Sequence, residues 1–238
     1  MLTPTAQKAV EVYGGRKRWL EASRIEAEIS VHGLAFMLKG RPFFRHARIE
    51  MAVQRPYSRL TPIGRNPSIT GVLDGPDVRL EDRGGNIVAE REQARQYFPN
   101  GRRLFYWDDL DMAYFANYAL WNYFTFPRLL LNDHIHWEEI RTGLLRGTFP
   151  DTIPTHSRIQ SFHFDLATGL LRQHDYTVDI ISPLATPANI VTDHQPQSGF
   201  LFPTSRVVTP RTGSGKVLKM PVLIAITVHR LSMKEAEG

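Results

Sequence analysis

The chain has 238 residues, a formal net charge of +5 and no cysteine. That length can bury a core without staples, and the missing thiols exclude disulfides, cysteine-bound zinc, iron–sulfur clusters and cysteine nucleophiles. The positive balance raises nucleic acid as a partner, with basic and aromatic residues interleaved at Arg16–Trp19, Arg41–Arg48 and Arg102–Trp107, but no motif of a known nucleic-acid module is present.

Taken in chain order, Pro4–Tyr13 reads as a helix, with Thr3 as N-cap, proline at its first position and Gly14-Gly15 as its stop. The N-terminus has no basic region followed by an apolar core, so it does not read as a signal peptide and the expected location is cytoplasmic. A short helical piece follows at Arg16–Ala22. Ile25, Ala27, Ile29 and Val31 then alternate strictly with polar neighbours up to Gly33, a strand pattern. Leu34–Lys39, Phe43–Val53, Ile69–Leu73, Val78–Glu81 and Ile87–Arg91 read as further strands. Tyr57–Pro67, with Pro56, Pro62, Gly64 and Pro67 in and around it, reads as a loop.

Asp108–Phe124 breaks the β pattern. Its acidic start suits a helix N-terminus, and the body A-Y-F-A-N-Y-A-L-W-N-Y is apolar nearly all round, which implies burial on several sides. It is too short and too interrupted for a membrane span. From His134 the pattern is β again: His134–Arg141, Leu144–Phe149, His156–Asp165, Leu171–Ile181, Asn189–His194, Phe200–Thr209 and Val217–His229. About a dozen strands with short connections predict one mainly β domain over 1–238, a single antiparallel half-open barrel. The helix-rich stretch Gln93–Asn132 would plug its concave side.

The most informative stretch is Pro154–Ile181, two strand-like runs around a Gly169 turn. By the two-residue period, His156, Arg158 and Gln160 share a face with Phe162, and Arg172, His174 and Tyr176 share a face with Val178. If that face lines the barrel, six hydrogen-bonding groups enter an apolar cavity. His156 and His174 are the candidate proton carriers. Arg158, Gln160, Arg172 and Tyr176 are candidate ligand contacts, joined by Tyr114, Tyr118 and Trp121 of the plug. His174 and Asp175 should point to opposite faces, whereas His163 and Asp165 should form a surface pair. His134-Ile135-His136 is a weak metal signal and is read as an exposed pair, so neither metal nor cofactor is expected. Thr212–Lys216 lacks phosphate-loop spacing and reads as a hairpin turn.

The order of elements, with Phe162–Asp165, Thr168–Arg172 and Gly199–Thr204 as its sharpest stretches, resembles the lipoprotein-carrier superfamily, the LolA/LolB-like fold that also includes the violacein-pathway enzyme fold. The resemblance implies an incomplete antiparallel barrel around an apolar cavity plugged by helices. Two departures from it are expected: the N-terminal residues do not read as a leader, and His, Arg, Gln and Tyr would enter the cavity. Three functional readings follow. The first is binding of an amphipathic or aromatic small molecule. The second is an enzyme of cyclase, isomerase or dehydratase type using a cavity histidine. The third is a basic surface module that binds nucleic acid. The oligomeric state is not legible in the sequence.

Overall fold

A computed structural model describes residues 2–98 and 101–235; positions 99 and 100 of the expected plug lie outside them. Thirteen strands form one antiparallel sheet. The first six are β1 (Ala22–His32), β2 (Phe44–Ala52), β3 (Tyr57–Thr61), β4 (Thr70–Asp74), β5 (Asp77–Glu81) and β6 (Ile87–Arg91). After the helical insertion come β7 (His136–Arg141), β8 (Leu144–Thr148), β9 (Ile159–Phe164), β10 (Leu171–Asp175), β11 (Pro187–Gln197), β12 (Phe200–Pro210) and β13 (Ile224–Glu235).

The spatial order is β6-β5-β4-β3-β2-β1-β13-β12-β11-β10-β9-β8-β7. Two meanders thus meet where the first strand pairs with the last. That seam runs from Ala22 opposite Glu235 to His32 opposite Ala225. β6 and β7 remain as edges, so the sheet is a half-open barrel, not a closed one. The chain between those two edges is the helical insertion, which therefore crosses the open side.

The strand alternation of β1 holds: Ile25, Ala27, Ile29 and Val31 are all buried. Helix α1 (Pro4–Val12) begins as the sequence implies, with the Thr3 hydroxyl accepting from the Ala6 amide. Helix α2 (Arg16–Glu21) seats Trp19 in the core, edge-on to Phe200 and Phe202.

Four expectations are corrected. Leu34–Leu38 is a helix, α3, not a strand. Its residues are good helix formers without β-branching, and the chain approaching β13 accepts from its first amides (Leu34 to Val222, Ala35 to Leu223). Tyr57–Thr61 is a strand inside the expected loop; its flanking prolines bound it without removing a ladder donor. The last strand begins at Ile224, not Val217, and Pro221 lies just before it. The runs at 156 and 171 are shorter than expected, Ile159–Phe164 and Leu171–Asp175, and chain without regular structure flanks both.

Helix α4 (Asp109–Phe124) is the plug. Asp108 caps it by accepting from the Asp111 amide at 2.8 Å, and the Asp111 carboxylate accepts from the Asp108 amide at 3.1 Å. Every residue from Asp111 to Phe124 is buried. The helix reaches both halves of the sheet: Asn117 Nδ2 donates to Gly71 O of β4, and Arg206 of β12 donates to Tyr123 O. No described helix is long and apolar enough to cross a membrane.

Candidate functional site

Below the C-terminal half of α4 lies a hydrogen-bonded cluster built from that helix and the chain between Pro154 and Tyr176. Pro154–Ser157, the buried approach to β9, presents His156; β9 and β10 present Gln160 and His174; the chain leaving β10 presents Tyr176. From the helix, Tyr118 and Tyr123 reach the two sides of one imidazole. The Tyr118 hydroxyl is 3.1 Å from His156 Nδ1, and the Tyr123 hydroxyl is 2.7 Å from Nε2. Tyr123 is in turn 2.8 Å from the Tyr176 hydroxyl. The Tyr176 ring stacks on His156 at 4.1 Å between centroids.

A second limb holds His174. Gln160 Nε2 donates to Thr155 Oγ1 and to Ser157 O, which leaves Oε1 to accept from His174 Nε2 at 2.6 Å. The His174 ring stacks on Phe162 at 4.2 Å. His156 and His174 are each thereby held both by hydrogen bonds and by an aromatic face.

Burial sets the protonation of this cluster. It pushes His156 down to about 3, with the nearby Arg95 charge adding to the effect. His174 is likewise pushed well below the ordinary imidazole value, chiefly by burial. Tyr118 and Tyr176 are raised well above 10 by burial, and Tyr123 is raised to about 12. At neutral pH the cluster is therefore uncharged. It can donate and accept hydrogen bonds, but it holds neither a proton nor a vacancy poised near pH 7.

His156 and Tyr176 also form the polar floor of a cavity of about 450 Å³. Its walls are mainly apolar. α3 gives Phe36 and Leu38, and Phe105 and Trp107 come from the approach to α4. The helix itself gives Met112 and Phe115, and the far wall is Val178, Leu184 and Val208. The rim is unusually apolar too: Leu38, Phe105 and Leu184 are 61%, 77% and 89% exposed. Three cationic residues lie along the lining, each engaged with the protein. Lys39 Nζ donates to Arg103 O, Arg41 donates to Trp107 O and pairs with Asp109, and Arg211 pairs with Asp175.

Of the six residues expected on one face, His156, Gln160, His174 and Tyr176 are buried together, whereas Arg158 and Arg172 are exposed. The two arginines leave the face because the two-residue period does not extend back from Ile159 to His156, and because the ladder shifts register between Leu171 and Gln173. From the plug, Tyr118 joins the cluster, Tyr114 only packs behind it at 5.2 Å between ring centroids, and Trp121 is packed elsewhere. Tyr114 lies against Phe98, and Trp121 Nε1 donates to Ala52 O on β2. The helix faces the cavity with Met112 and Phe115 instead.

His163 does not pair with Asp165. Its Nε2 is 2.9 Å from Asp175, which also accepts from Arg211 and Gln173, while Asp165 accepts from Thr168 in the Gly169 turn. His134 and His136 are exposed, and no group of three or more metal-ligating side chains occurs among the described residues. Sequence reasoning missed Tyr123, Asn189 and Arg206. Arg206 had one visible signal, as the only charge in phase with Phe200, Phe202 and Val208 along β12.

No family model and no curated protein sequence matches the chain. Among solved structures, a LolA superfamily protein from Nitrosomonas europaea aligns over 100% of this chain and 96% of its own, with a TM-score of 0.53 at 9% identity. The fold is LolA-like. A DUF1329 family protein from Desulfovibrio piger also aligns, over 96% of this chain and 91% of its own, with a TM-score of 0.48 at 11% identity. In this LolA-like fold the helical insertion crosses the open side of an incomplete antiparallel barrel, as the sequence resemblance implied.

Proposed function

We propose that the protein binds an amphipathic or aromatic small molecule in the cavity beside α4. The observation that carries this reading is an apolar chamber of about 450 Å³ whose floor offers neutral hydrogen-bonding groups, His156 and Tyr176. That is the composition of a small-molecule site: apolar walls for affinity, and a few fixed polar groups for orientation. The apolar part of the ligand lies against Phe36, Trp107, Phe115 and Val178, and its polar end meets the Tyr176 hydroxyl. The exposed Leu38, Phe105 and Leu184 at the mouth give an apolar molecule a path of entry.

Binding is preferred to turnover because an imidazole pushed down to about 3 makes a poor proton carrier at neutral pH. Binding of nucleic acid is less favoured still. Two arginines of the basic clusters are committed internally, Arg41 to Asp109 and Arg103 to Asp111.

The test is titration with a neutral fluorescent probe, N-phenyl-1-naphthylamine, against the wild type, Phe115→Trp and Ala185→Trp. Saturable binding that each larger side chain weakens by about tenfold or more, roughly 1.4 kcal/mol, supports the reading. Unsaturable binding, or affinity indifferent to both substitutions, overturns it.

A further inference from the structure

Beyond the cavity floor, Arg206 rises from β12 into the interior and is only 5% exposed. A guanidinium does not lose its proton in a protein, so this is a buried cation. Its surroundings supply no counter-charge. Among the described residues no carboxylate pairs with it: Nη2 donates to Tyr123 O at 3.1 Å, the group lies over the Tyr123 ring at 4.7 Å, and Nη1 has no partner. The phenols around it, Tyr13, Tyr123 and Tyr176, are held neutral by burial. An uncompensated buried charge is strongly unfavourable.

A second group beside it is also unsatisfied. Asn189 of β11 is fully buried, and although its amide lies toward the Tyr123 hydroxyl, neither Oδ1 nor Nδ2 makes a hydrogen bond of ordinary geometry. In the ladder Asn189 stands opposite Val208, two residues from Arg206, so the two side chains leave the same face of adjacent strands. Two voids of about 10 Å³ touch Arg206, one shared with His174 and Gln160 and the other with Tyr13 and Leu171. Each has room for roughly one water-sized body.

We propose that Arg206 and Asn189 form a binding site for a compact monovalent anion, with Arg206 Nη1 and Asn189 Nδ2 as its donors. The shared chemistry is a small negative group: a free halide, or the carboxylate end of a ligand whose apolar body fills the cavity. Val208 lines that cavity, and Arg206 lies two residues away on the same strand with its side chain on the same face. The carboxylate source rests on the binding reading above; the halide source does not.

Two measurements separate the sources. In the first, thermal unfolding is followed while gluconate is replaced by chloride at constant ionic strength. A halide site gives a saturable rise in Tm for the wild type that is absent in Arg206→Met and weakened in Asn189→Leu. In the second, decanoate and decanol compete against the neutral probe. A carboxylate site makes decanoate the better competitor by about tenfold in the wild type, with the difference gone in Arg206→Met. If the probe does not bind at all, the cavity reading has failed while the chloride arm still reads the anion site.

Should Arg206→Met not fold, bromide-soaked crystals of the wild type give the answer directly, with an anomalous peak beside Nη1 expected. The proposal is overturned by a chloride response that persists in Arg206→Met together with decanoate no better than decanol, or by the absence of both an anion response and a bromide peak.

Discussion

At the N-terminal end of α4, Asp111 is completely buried, yet its carboxylate lies 2.6 Å from Arg91 Nη1 and 2.7 Å from Arg103 Nε. At the other end, the same helix sets Tyr123 against His156, Tyr176 and the guanidinium of Arg206, and among the described residues no carboxylate pairs with that guanidinium. The first region buries charge with its partners and ties β6, the helix and the chain before it into one unit. The second buries neutral polar groups and leaves Arg206 Nη1 and both Asn189 amide atoms unmatched. Satisfied polarity at the first end is what a scaffold needs. Unmatched polarity beside a cavity is what a ligand can complete.

The contrast breaks most sharply at Asp111. Asp111→Ala leaves two largely buried guanidinium groups facing an empty position, and removing one partner of a buried ion cluster costs about 3–5 kcal/mol. Denaturant unfolding should show a midpoint lowered accordingly at an unchanged slope. A loss under about 1 kcal/mol would mean that water already screens the cluster, and the scaffold role would fall.

A smaller effect is expected at the neutral end. Tyr123→Phe removes one hydroxyl that serves both His156 Nε2 and the Tyr176 hydroxyl. Two buried groups are left without that partner, for about 1–3 kcal/mol. Probe affinity in the cavity should change with it, because Tyr176 and His156 form the floor; Asp111→Ala, in protein that remains folded, should leave that affinity nearly alone.

How much of this could be read from the sequence follows the same division. The alternation of β1, the Gly169 turn and the capped all-apolar helix each rest on a local rule, and each is present in the fold. The candidate site was half legible. Within regular β structure the period correctly placed Gln160 beside Phe162, but counting back to Arg158 carried it past the end of β9. Arg172 failed at the register shift in β10. Of the plug aromatics, Tyr118 reaches His156 whereas Tyr114 and Trp121 do not, and the sequence could not separate them: a helix buried all round has no polar face to orient it. Phe36 and Leu38 were hidden by a five-residue apolar run, whose period does not separate strand from helix.

The least disruptive way to sharpen the comparison uses protons instead of a deletion. His156 is held at about 3 in the folded chain, against an ordinary value of 6.5. Between those values the unfolded chain binds a proton that the folded chain refuses, so stability rises with pH across the window. The full contribution is present above 6.5 and is lost progressively as pH falls toward 3, at up to about 1.4 kcal/mol per unit for one site. His174, depressed for the same reason, steepens the slope, and His194, lowered to about 4, adds to it. His156→Gln retains groups that can hydrogen-bond Tyr118 and Tyr123 but cannot titrate. Its unfolding free energy should therefore fall with acid less steeply than that of the wild type, by close to one proton over the middle of the window. Equal slopes would mean that the imidazole takes up a proton in the folded state, which needs a water path to the floor of the cavity. In that case the balance between binding and acid–base chemistry at His156 would tip toward chemistry.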